Sequence, residues 1–291
     1  MRKHSARKVK KIKGVRKWKG VGFILPSFCG ICIFYLFPYL DVVKRSFINS
    51  LTGKWIGFEN YRSVFMNGAF QLAAKNTVRF IGTCVPILVI VSLFIAVIVQ
   101  KIAKGKYLQV GFLLPMAIPV ASVVLLWKST FDPHGFLNSF LNVFGIDGKD
   151  WMNTGSAFWV LVFSYIWKNL GYCIVLWIAG LSVIPKQIYE AANIDGAGEV
   201  SCFLHITIPN LLPSFFTITV ISLINSFKVY REAYLVAGDY PDQSIYMMQH
   251  LFNNWFRNLS LDNLAVGAVE TTCILLILVW CFWKGWGKMD E

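Results

Sequence analysis

Four polar side chains recur at helical spacing in an otherwise apolar stretch. In "VISLINSFKVYREAY", Ser222, Asn225, Ser226 and Tyr230 stand at i, i+3, i+4 and i+8, near one face of a helix. Hydroxyl and amide groups beside an aromatic ring suit a hydroxyl-rich solute, which needs hydrogen bonds and a flat apolar surface. The same pattern also bonds neighbouring helices within a membrane. Two charges raise a related question. Lys168 in "YIWKNLGYCI" and Glu270 in "VGAVETTCI" lie inside apolar runs, where an isolated charge is costly and normally faces a bundle interior or water. Three placements fit them: pairing with each other, lining a solute path, or snorkelling toward the outer interface.

Other chemistries find little support. The seven cysteines are an odd number scattered through apolar segments, so no disulfide framework is indicated. Cys29 and Cys32 form a C-x-x-C in the middle of "PSFCGICIF", where structural burial is the expectation. His4, His134, His205 and His250 lack metal-ligand spacing, so no metal is expected. The phosphate-cradling G-x-x-x-x-G-K-[ST] is missing, so the chain does not hold ATP by that route. A membrane enzyme would need clustered acid, base or metal-ligand side chains near one face, and the ionisable groups here are isolated. A self-powered secondary transporter would need mid-membrane ion-coupling residues, often on internal repeats, and no repeat is evident. Asn258 in "NLS" matches a glycosylation pattern to which no function is attached.

The elements that must position these groups follow from composition. Of 291 residues, 56% are hydrophobic and only 15% charged, against about 25% charged in soluble domains. Several uncharged runs reach the roughly 20 residues that cross a bilayer as helix. The chain therefore reads as an all-α integral membrane protein with six spans, at about 21–43, 77–100, 107–130, 158–182, 209–231 and 263–284. Trp255, Phe256, Trp280, Trp283 and Trp286 are expected in interfacial belts.

The formal net charge of +13 points to lipid rather than nucleic acid. Ten of the 28 basic residues fall within the first nineteen positions, directly before an apolar run. Val21 to Leu40 is uncharged and no small-x-small cleavage site follows, so this run reads as an uncleaved span rather than a signal peptide. Residues 1–20 then form a basic tail that anchors topology, 21–286 a six-helix domain, and 287–291 a short tail. Lysines in the second connection, "QKIAKGK", and in the C-terminal tail place both termini in the cytoplasm. Lys44, Arg45, Lys54, Arg62 and Lys75 of the first connection would face outward and are the least regular part of that pattern.

By the same alternation the fourth connection, about 185–208, is cytoplasmic. Pro185 is placed to start a helix, "KQIYEAANIDGAG" sets Ile188, Ala191, Ala192 and Ile194 near one face, and Gly196 and Gly198 supply a break. Helix resumes in "EVSCFLHITIP" before Pro209. A short helix with two alanines can lie closely in a groove of another protein.

The fourth connection also carries a resemblance. "EAANIDGAGEVSCFLHITIP" resembles the EAA motif of the permease subunits of binding-protein-dependent ABC importers. Glu190, Ala191, Ala192, Gly196, Ile206, Ile208 and Pro209 meet it, with Ile208 where leucine is usual. "GFENYRSVF", "KNTVRF" and "FLLPMAIPVASVVLLWKSTFDPHGFLN" are similar to the carbohydrate-transporting branch of maltose and glycerol-3-phosphate type. "AYLVAGDYPDQSIYMMQHLFNNWF" matches that branch only in part, and the maltose subunit's large external insertion is missing.

The resemblance implies a type I importer domain in a prokaryotic cell membrane, paired with a second homologous permease and served by an extracellular solute-binding protein. Residues 185–208 would be the coupling helix on a cytoplasmic ABC ATPase dimer, with Glu190, Ala191, Ala192, Asp195 and Gly196 at the contact. ATP and Mg would be bound by those partner subunits, with no cofactor in this chain and no enzymatic role of its own. The solute would be a di- or oligosaccharide or sugar derivative, or alternatively a non-sugar such as glycerol-3-phosphate. Lys168, Asn225, Ser226, Tyr230 and Glu270 are the candidate residues of its path.

Overall fold

The computed structural model describes residues 22–102 and 105–287. The basic tail with His4, residues 103 and 104 of the second connection, and residues 288–291 lie outside the described residues, as does the Trp286 side chain. Among the described residues the protein is helical, with one isolated β-bridge between Ile48 and Trp55. In chain order the helices are α1 (Gly22–Arg45), α2 (Glu59–Met66), α3 (Gly68–Lys101), α4 (Gly105–Ala117), α5 (Val120–Phe131), α6 (Phe136–Val143) and α7 (Ala157–Val183). Then come α8 (Lys186–Ile194), α9 (Glu199–Cys202), α10 (Leu212–Ser226), α11 (Tyr230–Ala237), α12 (Met248–Arg257) and α13 (Leu261–Gly287).

Five helical stretches are long and apolar enough to cross a membrane: Gly22–Arg45, Gly68–Lys101, Ala157–Val183, Leu212–Tyr234 and Leu261–Cys281. The sixth is a broken pair, Tyr107–Ala117 and Val120–Val143, bent by 89°. This corrects the single straight helix expected over 107–130. The cause is Pro119, which has no N–H to continue the ladder and pushes Ile118 out of helical geometry. The second span begins at Gly68, nine residues before the expected 77, because the Asn67 side chain accepts from the Ala69 and Phe70 N–H groups and caps a polar extension that hydropathy alone does not register.

Two compact units can be described separately. In the first, residues up to Val64 with Ser260–Thr272, α1 has no buried residue and contains a π turn at Cys32–Leu36. Cys29 is exposed and Cys32 half-buried, so the expected burial is not found among the described residues. After α1, Phe47 stacks on Trp55 at 5.2 Å and meets Tyr61 at 5.3 Å. Asn60 Nδ2 donates to the Ser46 and Ile48 carbonyls, and the Asp262 carboxylate accepts from Ser50 N–H at 3.0 Å.

The second unit, Phe65–Leu259 with residues from Cys273 onward, holds the main core. Phe80, Leu88, Tyr165, Ile174, Trp177 and Ile218 pack where α3, α7 and α10 meet. Small residues set the spacing. A Cβ on Gly171 would lie 1.9 Å from the Phe112 carbonyl oxygen, so α4 and α7 approach backbone to backbone only because position 171 is glycine. Two buried indoles are hydrogen-bonded, Trp177 to Ser92 at 3.0 Å and Trp127 to Ser164 at 2.6 Å. Trp255 is also in this interior, stacked on Phe70 at 6.4 Å, and does not form part of an interfacial belt as expected; Phe256 beside it is exposed.

Candidate functional site

α7 ends at Val183, the buried Ile184 and extended Pro185 turn the chain, and α8 follows as a nine-residue helix without a fully buried side chain. Its end is closed by its own backbone. Ala197 N–H bonds the Ala192 carbonyl at 2.9 Å, Gly196 N–H bonds Asn193 at 3.1 Å, and Gly196 has φ +82°. This pair of bonds around a left-handed residue is the Schellman arrangement, which glycine adopts at little cost. Asp195 is the C-cap residue and exposed. Glu190 and Ala191 are exposed and Ala192 half-buried, and Glu190 has no ion-pair partner among the described residues. Around them, Ile194 is 87% exposed and Val200 72%, an apolar border to an unpaired charge.

One side chain ties α8 back to the helical body. Tyr189 packs on the main core, and its hydroxyl hydrogen-bonds Thr207 Oγ1 at 2.8 Å. Thr207 is buried and closes a π turn, Phe203–Thr207, that leads from α9 into the fifth span. Such turns carry one extra residue in the helical ladder and often mark functional positions. Nearby, Lys101 and Glu199 form an exposed ion pair at 3.2 Å.

A second group of polar residues lies where α7 faces α10 and α11. Lys168 Nζ pairs with Glu232 Oε1 at 2.7 Å, with both side chains largely buried. Pairing of Lys168 with Glu270 is therefore not what the structure has. Glu270 belongs to the other unit, where its Oε2 is buried with no hydrogen-bond partner among the described residues. The expected face Ser222, Asn225, Ser226 and Tyr230 splits in two. Ser222 and Ser226 point inward and are buried, Ser226 donating to the Leu223 carbonyl at 2.6 Å. Asn225 is half-buried and its Nδ2 approaches Tyr172 Oη at 3.4 Å; Tyr172 in turn meets Ser222 Oγ at 3.1 Å. Lys228 Nζ donates to Asn225 Oδ1 at 2.9 Å. A 3-10 turn at Phe227–Val229 changes the helical register, so Tyr230 leaves this ladder and packs its ring on Tyr234 and His250, at 5.4 and 4.8 Å.

His250 is fully enclosed on α12. Its Nδ1 accepts from Met247 N–H at 3.1 Å, which leaves the proton on Nε2, and burial lowers its pKa to about 4. Sequence reasoning missed Glu232, Tyr172, Tyr189, Thr207, Lys228 and His250 as members of these groups. Charge at a span end gave the one available signal, in "FKVYREAY"; the other partners come together only through tertiary packing. Among the described residues no group of histidine, cysteine or acidic side chains could hold a metal ion.

The family described as binding-protein-dependent transport system inner membrane component matches residues 64–282. The chain is 27% identical over 272 residues to the sn-glycerol-3-phosphate transport system permease protein UgpA of Salmonella typhimurium, covering 90% of this chain and 92% of that one. It is 32% identical over 262 residues to the probable ABC transporter permease protein YesP of Bacillus subtilis, covering 84% of each. Among solved structures, one chain of a bacterial ABC transporter involved in the import of the acidic polysaccharide alginate superposes with a TM-score of 0.83. That match has 21% identity and covers 98% of this chain and all of the other.

Proposed function

Because the chain belongs to the binding-protein-dependent transport system inner membrane components, we propose that it is the permease subunit of an ATP-driven importer for a carbohydrate. The observation that carries this reading is α8. It is an exposed helix closed by its own Schellman turn, it presents an unpaired Glu190 beside Ala191 and Ala192, and it joins two spans. A surface of that kind suits a groove on another protein. The proposed occupant is an ATPase subunit of a cytoplasmic dimer that binds ATP and Mg, since this chain has no phosphate cradle.

In this reading nucleotide binding draws the two ATPase subunits together. Each pushes on a coupling helix, and the pair of permeases changes from inward to outward opening. A solute-binding protein delivers the solute from outside, and both termini of this chain lie in the cytoplasm. Asn225 and Tyr172 offer an amide and a phenol on a half-buried face, the combination that hydroxyl-rich solutes require. The carbohydrate assignment is supported by the relatives named above.

The test is uptake of labelled sugars into proteoliposomes holding the permease pair with its binding protein, with and without the ATPase subunit. ATP-dependent uptake only in the presence of that subunit is expected. Uptake that persists without it would sink the reading.

A further inference from the structure

We propose that Lys228 and Arg231 bind an anionic group of the transported solute, so that the solute is an acidic sugar, bearing carboxylate or phosphate, rather than a neutral one. This rests on the importer reading and goes beyond it in naming the charge class.

The cations of the fourth and fifth spans are treated in two ways. Lys168, inside the fourth span, is neutralised by Glu232 at 2.7 Å, in a largely buried pair. Lys228 and Arg231 fall inside the fifth candidate span, Leu212–Tyr234, and both are exposed. Neither has an ion-pair partner among the described residues. The carboxylate closest in sequence, Glu232, is already committed to Lys168 on the buried side of the helix. Charges in a membrane segment are costly unless they meet water, an opposite charge or a ligand.

The surroundings favour a ligand. Ser222, Tyr172, Asn225 and Lys228 form one chain of hydrogen bonds, running from the buried serine to the exposed ammonium. Lipid tails offer nothing to such a chain, whereas a solute path does. Asn225 holds the Lys228 ammonium through one of its three donors, leaving two for an incoming oxygen. Arg231 follows one turn later, at i+3, with its guanidinium fork uncommitted among the described residues. A monosaccharide carboxylate or phosphate meeting both cations, with its ring hydroxyls on Asn225 and Tyr172, would satisfy every group in this face.

Anionic oxygens could also come from lipid headgroups, so the test has two arms. The intact importer, with its partner permease, ATPase and binding protein, is reconstituted in phosphatidylcholine vesicles and, separately, in vesicles with phosphatidylglycerol. ATP-dependent uptake is measured for oligogalacturonides and sugar phosphates against neutral oligosaccharides of equal length. The expected result in both membranes is uptake of an acidic probe, with Lys228→Gln and Arg231→Gln each raising its half-saturating concentration about 10-fold or more. Lys228→Arg should restore it. ATP-dependent uptake of neutral probes only, or of an acidic probe with unchanged half-saturation in both variants, would overturn the proposal. An effect of the variants confined to the phosphatidylglycerol vesicles would assign the cations to lipid and overturn it equally. Loss of ATP dependence for all probes would instead remove the importer reading itself.

Discussion

Replacing Lys168 with methionine keeps most of the aliphatic stem and deletes the charge, leaving the Glu232 carboxylate without its partner. The Lys168 and Glu232 side chains are 18% and 10% exposed, so water replaces the lost contact poorly. Glu232 also borders a small cavity lined by Trp127, Met152, Val160, Leu161 and Ser164, where the Trp127 N–H is already donated to Ser164 at 2.6 Å. Breaking a buried pair costs about 3–5 kcal/mol, and the residual exposure here argues for the low end, about 3 kcal/mol. Spread over the unfolding entropy of a chain of this length, that is a fall in melting temperature of about 5 °C. The double variant Lys168→Met with Glu232→Gln removes the stranded charge and should recover most of the loss, to within about 2 °C of the parent. Thermal unfolding of the detergent-solubilised variants, followed by intrinsic tryptophan fluorescence, reads the comparison. A double variant as unstable as the sum of the two single ones would refute the argument, because it would mean that each side chain stabilises the fold independently of the other.

Three further outcomes follow from the same structure. Glu190→Lys reverses an exposed, unpaired charge on α8; membrane insertion and melting temperature should be unchanged while solute uptake per ATP hydrolysed falls, and unchanged uptake would show that the coupling surface is misplaced. Thr207→Val removes the hydroxyl that meets Tyr189 at 2.8 Å and should destabilise by about 1 kcal/mol, with Tyr189→Phe costing a similar amount and the pair of changes costing little more than one; additive losses in thermal unfolding would show that the two hydroxyls do not act together. His250 stays neutral in the fold with a pKa near 4, against about 6.5 unfolded. The unfolded chain therefore takes up a proton that the folded one refuses, so stability is intact above pH 6.5 and falls as pH drops toward 4, by about 3 kcal/mol in all from this group. Melting temperature measured across that range in parent and His250→Gln should show a shallower slope in the variant, and parallel curves would remove His250 from the account.

How much of this could be read from sequence depends on the distance over which each feature is set. The turn after α8 is local: Gly196 is fixed by the need for positive φ two residues past the last residue of α8, and the Glu-Ala-Ala spacing before it is readable by eye. The ion pair of Lys168 is not, since its partner is 64 residues away and lies just past the expected end of the fifth span at about 231. The face assigned to Ser222, Asn225, Ser226 and Tyr230 failed at its edges for a geometric reason. Adjacent positions on a helix differ by about 100°, so Asn225 and Ser226 cannot both look the same way. The 3-10 turn after Ser226 then turned Tyr230 aside. The break at Pro119 was visible as a residue but not as a bend, because prolines also occur in unbroken membrane helices, as Pro86 does within α3.

The state of α8 links these local facts to function. A nine-residue helix is too short to hold itself in water, and this one has no fully buried side chain to hold it against the body of the protein. What remains is Ile184 before it, Tyr189 within it and the backbone closure at Gly196 after it. A force applied to Glu190 therefore has two routes into the membrane: along the chain to α7 through Ile184, and across the Tyr189–Thr207 hydrogen bond to the π turn before the fifth span. The second route ends on α10, which carries Ser222 and Asn225, and on the turn that carries Lys228. Movement of α8, if it is the coupling helix proposed above, would thus reach the face proposed to hold the solute through the π turn, the turn at Leu211 and α10. The direct route through Ile184 reaches Tyr172 on α7, the other half of the same hydrogen-bonded ladder. Both halves of the ladder are connected to one short helix, so under the proposed function a displacement that moved α7 and α10 unequally would separate Tyr172 from Asn225.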